Sequence, residues 1–280
     1  MDDHAEGLSL VIWVVAGTKD ARLLIEALLE KKLPVIASVV TEYGEQILRE
    51  QFSGALHVQR GAMDLLSMET FVQNHNVNAV IDASHPYARV ASENLIELSC
   101  KRGIPYLRYE RPESALPAYE KLTSISDWSQ TLLTLQEAPT GSRVFLATGS
   151  RALPKLVPIL LDKGLYPIVR ILPDPQEIQR CLDLGLTPNQ IIAMQGPFSY
   201  ELNRAMFLQT GAQWLVTKES GTVGGADEKM SAAMELGMGL IVLTRPALEY
   251  PALTQDVSTA VGWAAVRSVV PLACQTSGLF

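Results

Sequence analysis

The 280-residue chain predicts an α/β protein made of two Rossmann-like parallel-sheet domains facing a shared cleft. Three observations predict it. Short apolar runs recur along the whole chain, each is followed by a polar or glycine-containing loop, and each loop leads into a segment of helical periodicity. That alternation predicts parallel strands joined by right-handed helical crossovers, with ligands bound outside the carboxyl ends of the strands. The loops in question are Ala16-Gly17-Thr18-Lys19-Asp20 and Asp82-Ala83-Ser84-His85-Pro86-Tyr87 in the first half. Ala147-Thr148-Gly149-Ser150 and Met194-Gln195-Gly196-Pro197-Phe198 take the same places in the second.

The elements follow in order. Leu10 to Val15 is continuously apolar, as a strand buried on both faces should be. After the Gly17 turn, Leu23, Leu24, Ala27 and Leu28 share one helical face, and Pro34 stops the helix. Further strands are predicted at 35–40, 56–58, 78–82 and 104–107. One helix starts from an Asp64 N-cap, and another runs from Tyr87 to Lys101 with Gly103 closing it. Pro86 suits a first helical turn, where it loses no needed donor. Residues 112–141 read as a connector, which divides the chain into an N-terminal domain at 1–138 for cofactor phosphate and a C-terminal domain at 139–280 for substrate and cleft contacts. In the second half, strands are expected at 143–147, 166–172, 191–194, 214–217 and 239–243. Helices follow Ser150 and Ser199 and surround Glu228, and a last one from Asp256 to Val269 either covers a sheet edge or bridges the halves.

Composition narrows the function. Thirty acidic against 23 basic residues, without a basic run, argue against a general nucleic-acid binder, although a local cationic patch can still receive an anionic ligand. Cys100, Cys181 and Cys274 form no CxxC pair, and His4, His57, His75 and His85 form no ligand set. No metal site is expected, and redox chemistry falls to a soluble cofactor. The acidic N-terminus and the short apolar run at 8–16 predict neither signal peptide nor membrane span, hence a cytoplasmic protein.

The loops supply the candidate site residues. Gly17, Thr18 and Lys19 read either as a phosphate site at a helix N-terminus or as a plain strand–helix turn, since only one glycine of the GxGxxG fingerprint is present. The second strand ends Ser38-Val39-Val40-Thr41, without the acid that grips the ribose diol of NAD. That tolerates a 2′-phosphate and favours NADPH, while the nearby Glu42 keeps NADH open. Thr41-Glu42-Tyr43-Gly44 occupies the next loop. His85, beside Asp82 and Ser84, is a candidate proton donor or a structurally placed histidine. Arg108 and Arg111 flank Tyr109 and either receive carboxylates or form a surface cluster with Glu110. Lys218 either binds an anion or faces solvent, and Gly221, Gly224 and Gly225 permit close backbone approach.

In combination these segments resemble the precorrin-6A reductase family, also met as cobalt-precorrin-6A reductase, of cobalamin biosynthesis. The resemblance spans residues 10–246 and rests on Gly17-Thr18, Thr41-Glu42-Tyr43-Gly44, Asp82-Ala83-Ser84-His85-Pro86-Tyr87-Ala88, Arg108-Tyr109-Glu110-Arg111-Pro112, Met194-Gln195-Gly196-Pro197-Phe198, Thr217-Lys218-Glu219-Ser220-Gly221 and Arg245-Pro246. Ser84 stands where the family more often has Thr. The resemblance implies an NADPH- or NADH-dependent enzyme that delivers hydride to C19 and a proton to C18 of precorrin-6A, or of its cobalt form, giving precorrin-6B. It implies cofactor contacts at Gly17, Thr18, Lys19, Ser38, Thr41, Tyr43, Gly44, Asp82 and Ser84. Substrate contacts would fall at Tyr87, Arg108, Arg111, Gln195, Pro197, Phe198, Lys218, Ser220, Gly221 and Arg245, with His85 as proton donor or substrate orienter. The expected partner is a tetrapyrrole, with no nucleic acid and no membrane. An NAD(P)-dependent oxidoreductase of another substrate and a non-catalytic tetrapyrrole-binding protein are the competing readings.

Overall fold

The computed structural model describes residues 10–112, 115–219 and 226–268. The first stretch runs β1 (Val11–Val15), α1 (Lys19–Glu30), β2 (Val35–Val39), α2 (Glu42–Phe52), β3 (His57–Arg60), α3 (Leu65–Asn74), β4 (Val77–Asp82), α4 (Arg89–Arg102) and β5 (Tyr106–Tyr109). Then come β6 (Leu122–Ile125), α5 (Gln130–Thr134), β7 (Arg143–Ala147), α6 (Leu153–Asp162), β8 (Tyr166–Ile171), α7 (Pro175–Asp183), β9 (Ile191–Ala193) and α8 (Tyr200–Thr210). β10 (Trp214–Lys218), α9 (Ala226–Glu235), β11 (Gly239–Leu243), β12 (Leu253–Thr254) and α10 (Val257–Arg267) complete the order.

Two compact units result. One contains the chain up to Pro112 together with the chain from Pro246 on, and the other contains the residues between. The expected boundary at 138/139 is therefore displaced, for a reason visible in the pairing. β6, inside the segment expected to be a connector, pairs in parallel with β11. Its sequence, LTSI, has only its last residue buried, so it carries no apolar run to announce it. The tail also belongs elsewhere than expected. β12 extends the first sheet beside β5, and Ala260, Val261 and Ala264 of α10 join the core that α1 covers. Three further elements went unanticipated: α2, which begins inside the segment read as the 41–44 loop, β12, only two residues long, and α7, which an Asp174 cap and Pro175 start.

Each unit holds a six-stranded sheet whose paired strands run parallel. The orders are β12-β5-β4-β1-β2-β3 and β6-β11-β10-β7-β8-β9. The order reverses between β1 and β4 in the first sheet and between β7 and β10 in the second. These are the switch points at which open α/β sheets bind ligands.

β1 shows why the strands read as continuous apolar runs. Ile12, Trp13 and Val14 are wholly buried, with Ile12 and Val14 on the α1 face among Leu24, Ile25 and Leu28. Trp13 points to the other face, against Phe71, Leu95 and Leu98. Each such burial is worth about 1.5–3 kcal/mol. In the second unit Phe145, Leu215 and Leu240 pack with Phe207 and Ala233 in the same manner. Asp64 and Ser199 cap helices where the sequence expects them, each accepting a first-turn amide, and Gly103 closes α4 at φ 66°; Thr18 and Thr41, read from sequence as loop residues, cap α1 and α2 in the same way. Pro86 does not enter α4. It sits in a turn closed by the Ala88 amide donating to the His85 carbonyl at 2.7 Å, and the helix starts three residues later. No described helix is long and apolar enough to cross a membrane.

Candidate functional site

The loops after β1 and β4 meet at the first switch point. A Cβ placed on Gly17 would lie 3.9 Å from the His85 amide nitrogen, with no closer neighbour. Gly17 has no positive φ, so neither backbone conformation nor packing requires a glycine there. The exposed Gly17 thus leaves bare backbone at a helix N-terminus. Thr18 caps that helix by accepting from the Ala21 amide at 3.0 Å and reaches the Ala83 carbonyl at 3.5 Å. Lys19 is exposed. Arg111, expected among the substrate ligands, pairs with Asp20 in the first turn of α1 at 3.0 Å. It stands beside the same helix N-terminus.

Beneath the β4 loop lies a buried polar network that engages three of the residues expected at the ligands. Asp82 is wholly buried, and its carboxylate accepts from the Ser84 amide (3.0 Å), the Ser92 hydroxyl (2.6 Å) and the Tyr106 hydroxyl (2.9 Å). Arg108 is wholly buried too. It pairs with Asp82 at 2.9 Å and with Glu110 at 2.7 Å, donates to the Ser84 hydroxyl at 3.1 Å and lies 5.3 Å from the Tyr250 ring centre. The side chains of Asp82, Ser84 and Arg108 are thus engaged within the protein. All three hold the 83–86 loop from below. Burial opposes the charge of Arg108, yet Asp82 and Glu110 outweigh it and raise its pKa. Burial, then Asp82, raises the Tyr106 phenol, which stays a donor.

Ser38 is likewise engaged within the protein. Its hydroxyl is buried and accepts from the Trp13 indole at 2.9 Å, because its position in β2 faces the same side as Trp13. Thr41 and Tyr43 are exposed at the end of that strand. Gly44 lies in the first turn of α2, where a Cβ would come 3.1 Å from the Thr41 hydroxyl and 3.4 Å from Val39. Its glycine is accounted for by packing. His85 is exposed, and its Nδ1 accepts from the Tyr87 amide at 3.3 Å, with the two rings 5.6 Å apart. That bond assigns the proton of the neutral imidazole to Nε2.

At the carboxyl edge of the second sheet, Gln195 and Pro197 are exposed on the loop after β9. Phe198 lies under a residue absent from the candidate ligands: the Arg170 guanidinium sits 3.9 Å from its ring centre. Lys218 ends β10, 6.0 Å from the Trp128 ring centre, and burial followed by Arg151 lowers its pKa. The Arg245 guanidinium is buried and grips both oxygens of Glu219, through Nε at 2.5 Å and Nη2 at 3.3 Å, tying the ends of β10 and β11. Ser220, Gly221, Gly224 and Gly225 lie outside the described residues. Among the described residues no group of His, Cys, Asp or Glu side chains could hold a metal ion.

A family model for precorrin-6x reductase CbiJ/CobK matches residues 11–265. The chain belongs to this family. A cobalt-precorrin-6A reductase of Priestia megaterium is 38% identical over 244 residues, covering 86% of this chain and 92% of that relative. One from Methanothermobacter thermautotrophicus is 35% identical over 246 residues, covering 88% and 79%. A solved structure described as CobK precorrin-6A reductase shares the fold, with a TM-score of 0.73 at 21% identity over 94% of this chain and 99% of that one. As a member of the family, the protein is an NAD(P)H-dependent oxidoreductase acting on the precorrin-6A macrocycle.

Within this reductase, Tyr106, Ser92 and Lys229 are the site-region residues that the sequence does not reveal, whereas Arg170 stands out in it as a charged residue that either faces the ligand or lies on a sheet edge. Tyr106 and Arg170 lie inside strands, and Ser92 and Lys229 inside helices. Motif reading attends to loops. The charge inside the apolar run YPIVRI marks Arg170, and Tyr106, Ser92 and Lys229 carry no comparable signal.

Proposed function

We propose that this reductase uses NADPH to reduce cobalt-precorrin-6A to cobalt-precorrin-6B in the cytoplasm, with hydride reaching C19 and a proton C18. The observation that carries the cofactor assignment is Gly17: a glycine required neither by φ nor by neighbours, at a helix N-terminus and at a switch point. A dinucleotide pyrophosphate needs that bare backbone and the first-turn amides behind it. Gly17, Thr18 and Lys19 would hold the phosphates, and Arg111 neutralises Asp20 so that the negative charge of the first turn does not repel them. Thr41 and Tyr43 would take the adenosine end. NADPH is favoured because β2 is followed by Val40 and Thr41 rather than an acid, while Glu42 is engaged by Arg60 at 3.5 Å. The cobalt substrate is favoured by the names of the two relatives at 38% and 35% identity.

When bound, the reduced nicotinamide supplies the hydride, and the protein's part is placement, exclusion of water and proton handling. His85 presents Nε2–H, the Tyr87 amide having taken Nδ1, and would donate to the macrocycle or orient it. Tyr87 of the first unit is a proposed substrate contact, as are Gln195, Pro197, Phe198 and Lys218 of the second. The test is anaerobic incubation with precorrin-6A and with its cobalt form, adding NADPH and NADH separately and following product mass. A gain of two hydrogens, fastest with the cobalt form and NADPH, is expected. No gain in any combination overturns the activity, and faster turnover with NADH overturns the cofactor choice.

A further inference from the structure

We infer that Arg170 and Lys229 of the second unit form a carboxylate subsite that receives a peripheral acid side chain of the macrocycle. This rests on the tetrapyrrole substrate proposed above.

Arg170 is the penultimate residue of β8, at the carboxyl edge of its sheet, and is 9% exposed. Its guanidinium is held from several sides by uncharged groups. It stacks over Phe198 at 3.9 Å, lies 5.5 Å from the Phe145 ring centre and donates to the Asn203 amide oxygen at 2.8 Å. Asn203 is itself fixed, donating to the carbonyls of Phe198 and Ser199 at 3.2 and 2.8 Å. Lys229 of α9 is 7% exposed. Among the described residues, no carboxylate lies within ion-pair distance of either cation. The buried acid nearby, Glu219, is occupied by both arms of Arg245, and Glu228 is exposed.

A buried cation normally has an acid partner, because desolvation disfavours its charge. Burial lowers Arg170 to about 10 and Lys229 to about 8. Arg170 and Lys218 push the Lys229 ammonium further down, and Glu219 and Glu228 oppose them without cancelling the effect. Two such cations near one sheet edge leave a deficit of negative charge that a ligand can fill. A guanidinium fork matches a carboxylate, and the apolar surroundings of Phe198, Phe145 and Met206 strengthen the pairing. An oxyanion could also come from a cofactor phosphate, so the test separates the two sources.

The test uses cobyrinic acid, a stable polycarboxylate corrinoid, and its neutral methyl ester, with calorimetric binding to wild type, Arg170→Met and Lys229→Met. Wild type should bind the acid and not the ester. Each variant should lose about tenfold or more in affinity for the acid and keep its affinity for NADPH. Wild-type affinity for the acid should fall as pH rises past about 8, and Lys229→Met should lose that slope. Lys229→Met should also unfold at a higher temperature than wild type, a gain that a structural role for the ammonium would not produce. If Arg170→Met does not fold, Arg170→Lys carries the affinity comparison. Absence of wild-type binding, unchanged affinity in the variants, or loss confined to NADPH overturns the subsite. The binding arm needs no hydride transfer. A protein that binds the acid through Lys229 yet reduces neither precorrin defeats the proposed function and leaves the subsite standing.

Discussion

Arg108 at the edge of the first sheet lies between Asp82 and Glu110, whereas Arg170 at the edge of the second lies between Phe198 and Asn203. Both are buried arginines near the carboxyl ends of parallel strands. The difference is neutralisation. Arg108 has its counter-charges in the same unit, so its charge is raised and fixed and serves the loop that it props. Arg170 has an aromatic face and a neutral amide, so its charge is depressed and left for something outside the described residues. Burial alone does not separate scaffold from ligand site, but the local balance of charge does.

The largest expected effect breaks that comparison directly. Arg108→Met strands the buried Asp82 carboxylate and should cost about 3–5 kcal/mol of stability. Arg170→Met strands no acid and should cost clearly less, even though a packed side chain is changed. Denaturant unfolding of the two variants checks this. Equal losses would show that Arg170, too, is part of the scaffold.

A somewhat smaller effect comes from Lys229. Burial pushes its ammonium down to about 8 in the folded protein, against 10.5 for an ordinary lysine. Between those values the unfolded chain binds more protons than the folded one, so the contribution of this group to stability rises with pH from about 8 to 10.5 and is lost as pH falls through 8. The whole span is worth about 3 kcal/mol. The difference in unfolding free energy between Lys229→Met and wild type should therefore shrink as pH climbs through that window. A difference flat in pH would place the ammonium in water rather than in the protein.

The same contrast explains what could be read from the sequence. Continuous apolar runs such as Val11–Val15 and Gly239–Leu243 announce strands buried on both faces, and Asp64 and Ser199 announce helix starts through capping chemistry. The loops that close those strands are equally legible, so Gly17 and His85 emerge as neighbours. Three things are not legible. β6 is polar and nearly exposed, so the unit boundary is misplaced without its pairing to β11. Side-chain direction within a strand decides that Ser38 serves Trp13 instead of a ribose. Charge pairing between distant segments, Arg108 with Asp82 or Arg245 with Glu219, turns apparent ligands into props, and no local motif encodes it.

Two glycines give the smallest and most discriminating test. A methyl on Gly17 meets only the His85 amide nitrogen, at 3.9 Å, whereas a methyl on Gly196 would come within 2.8 Å of the Phe198 ring. Gly17→Ala should leave the fold intact and, by restricting the unfolded chain, stabilise it by up to about 0.5–1 kcal/mol. The added methyl occupies the bare backbone assigned to the pyrophosphate, so KM for the nicotinamide cofactor should rise while that for the tetrapyrrole holds. Gly196→Ala must displace the ring on which Arg170 stacks, so it should raise KM for the tetrapyrrole and leave that for the cofactor unchanged. Steady-state kinetics with each ligand varied in turn reads both. A stabilised Gly17→Ala variant with unaltered cofactor KM would take the phosphate site away from the β1–α1 loop. A crossed pattern would exchange the roles of the two edges.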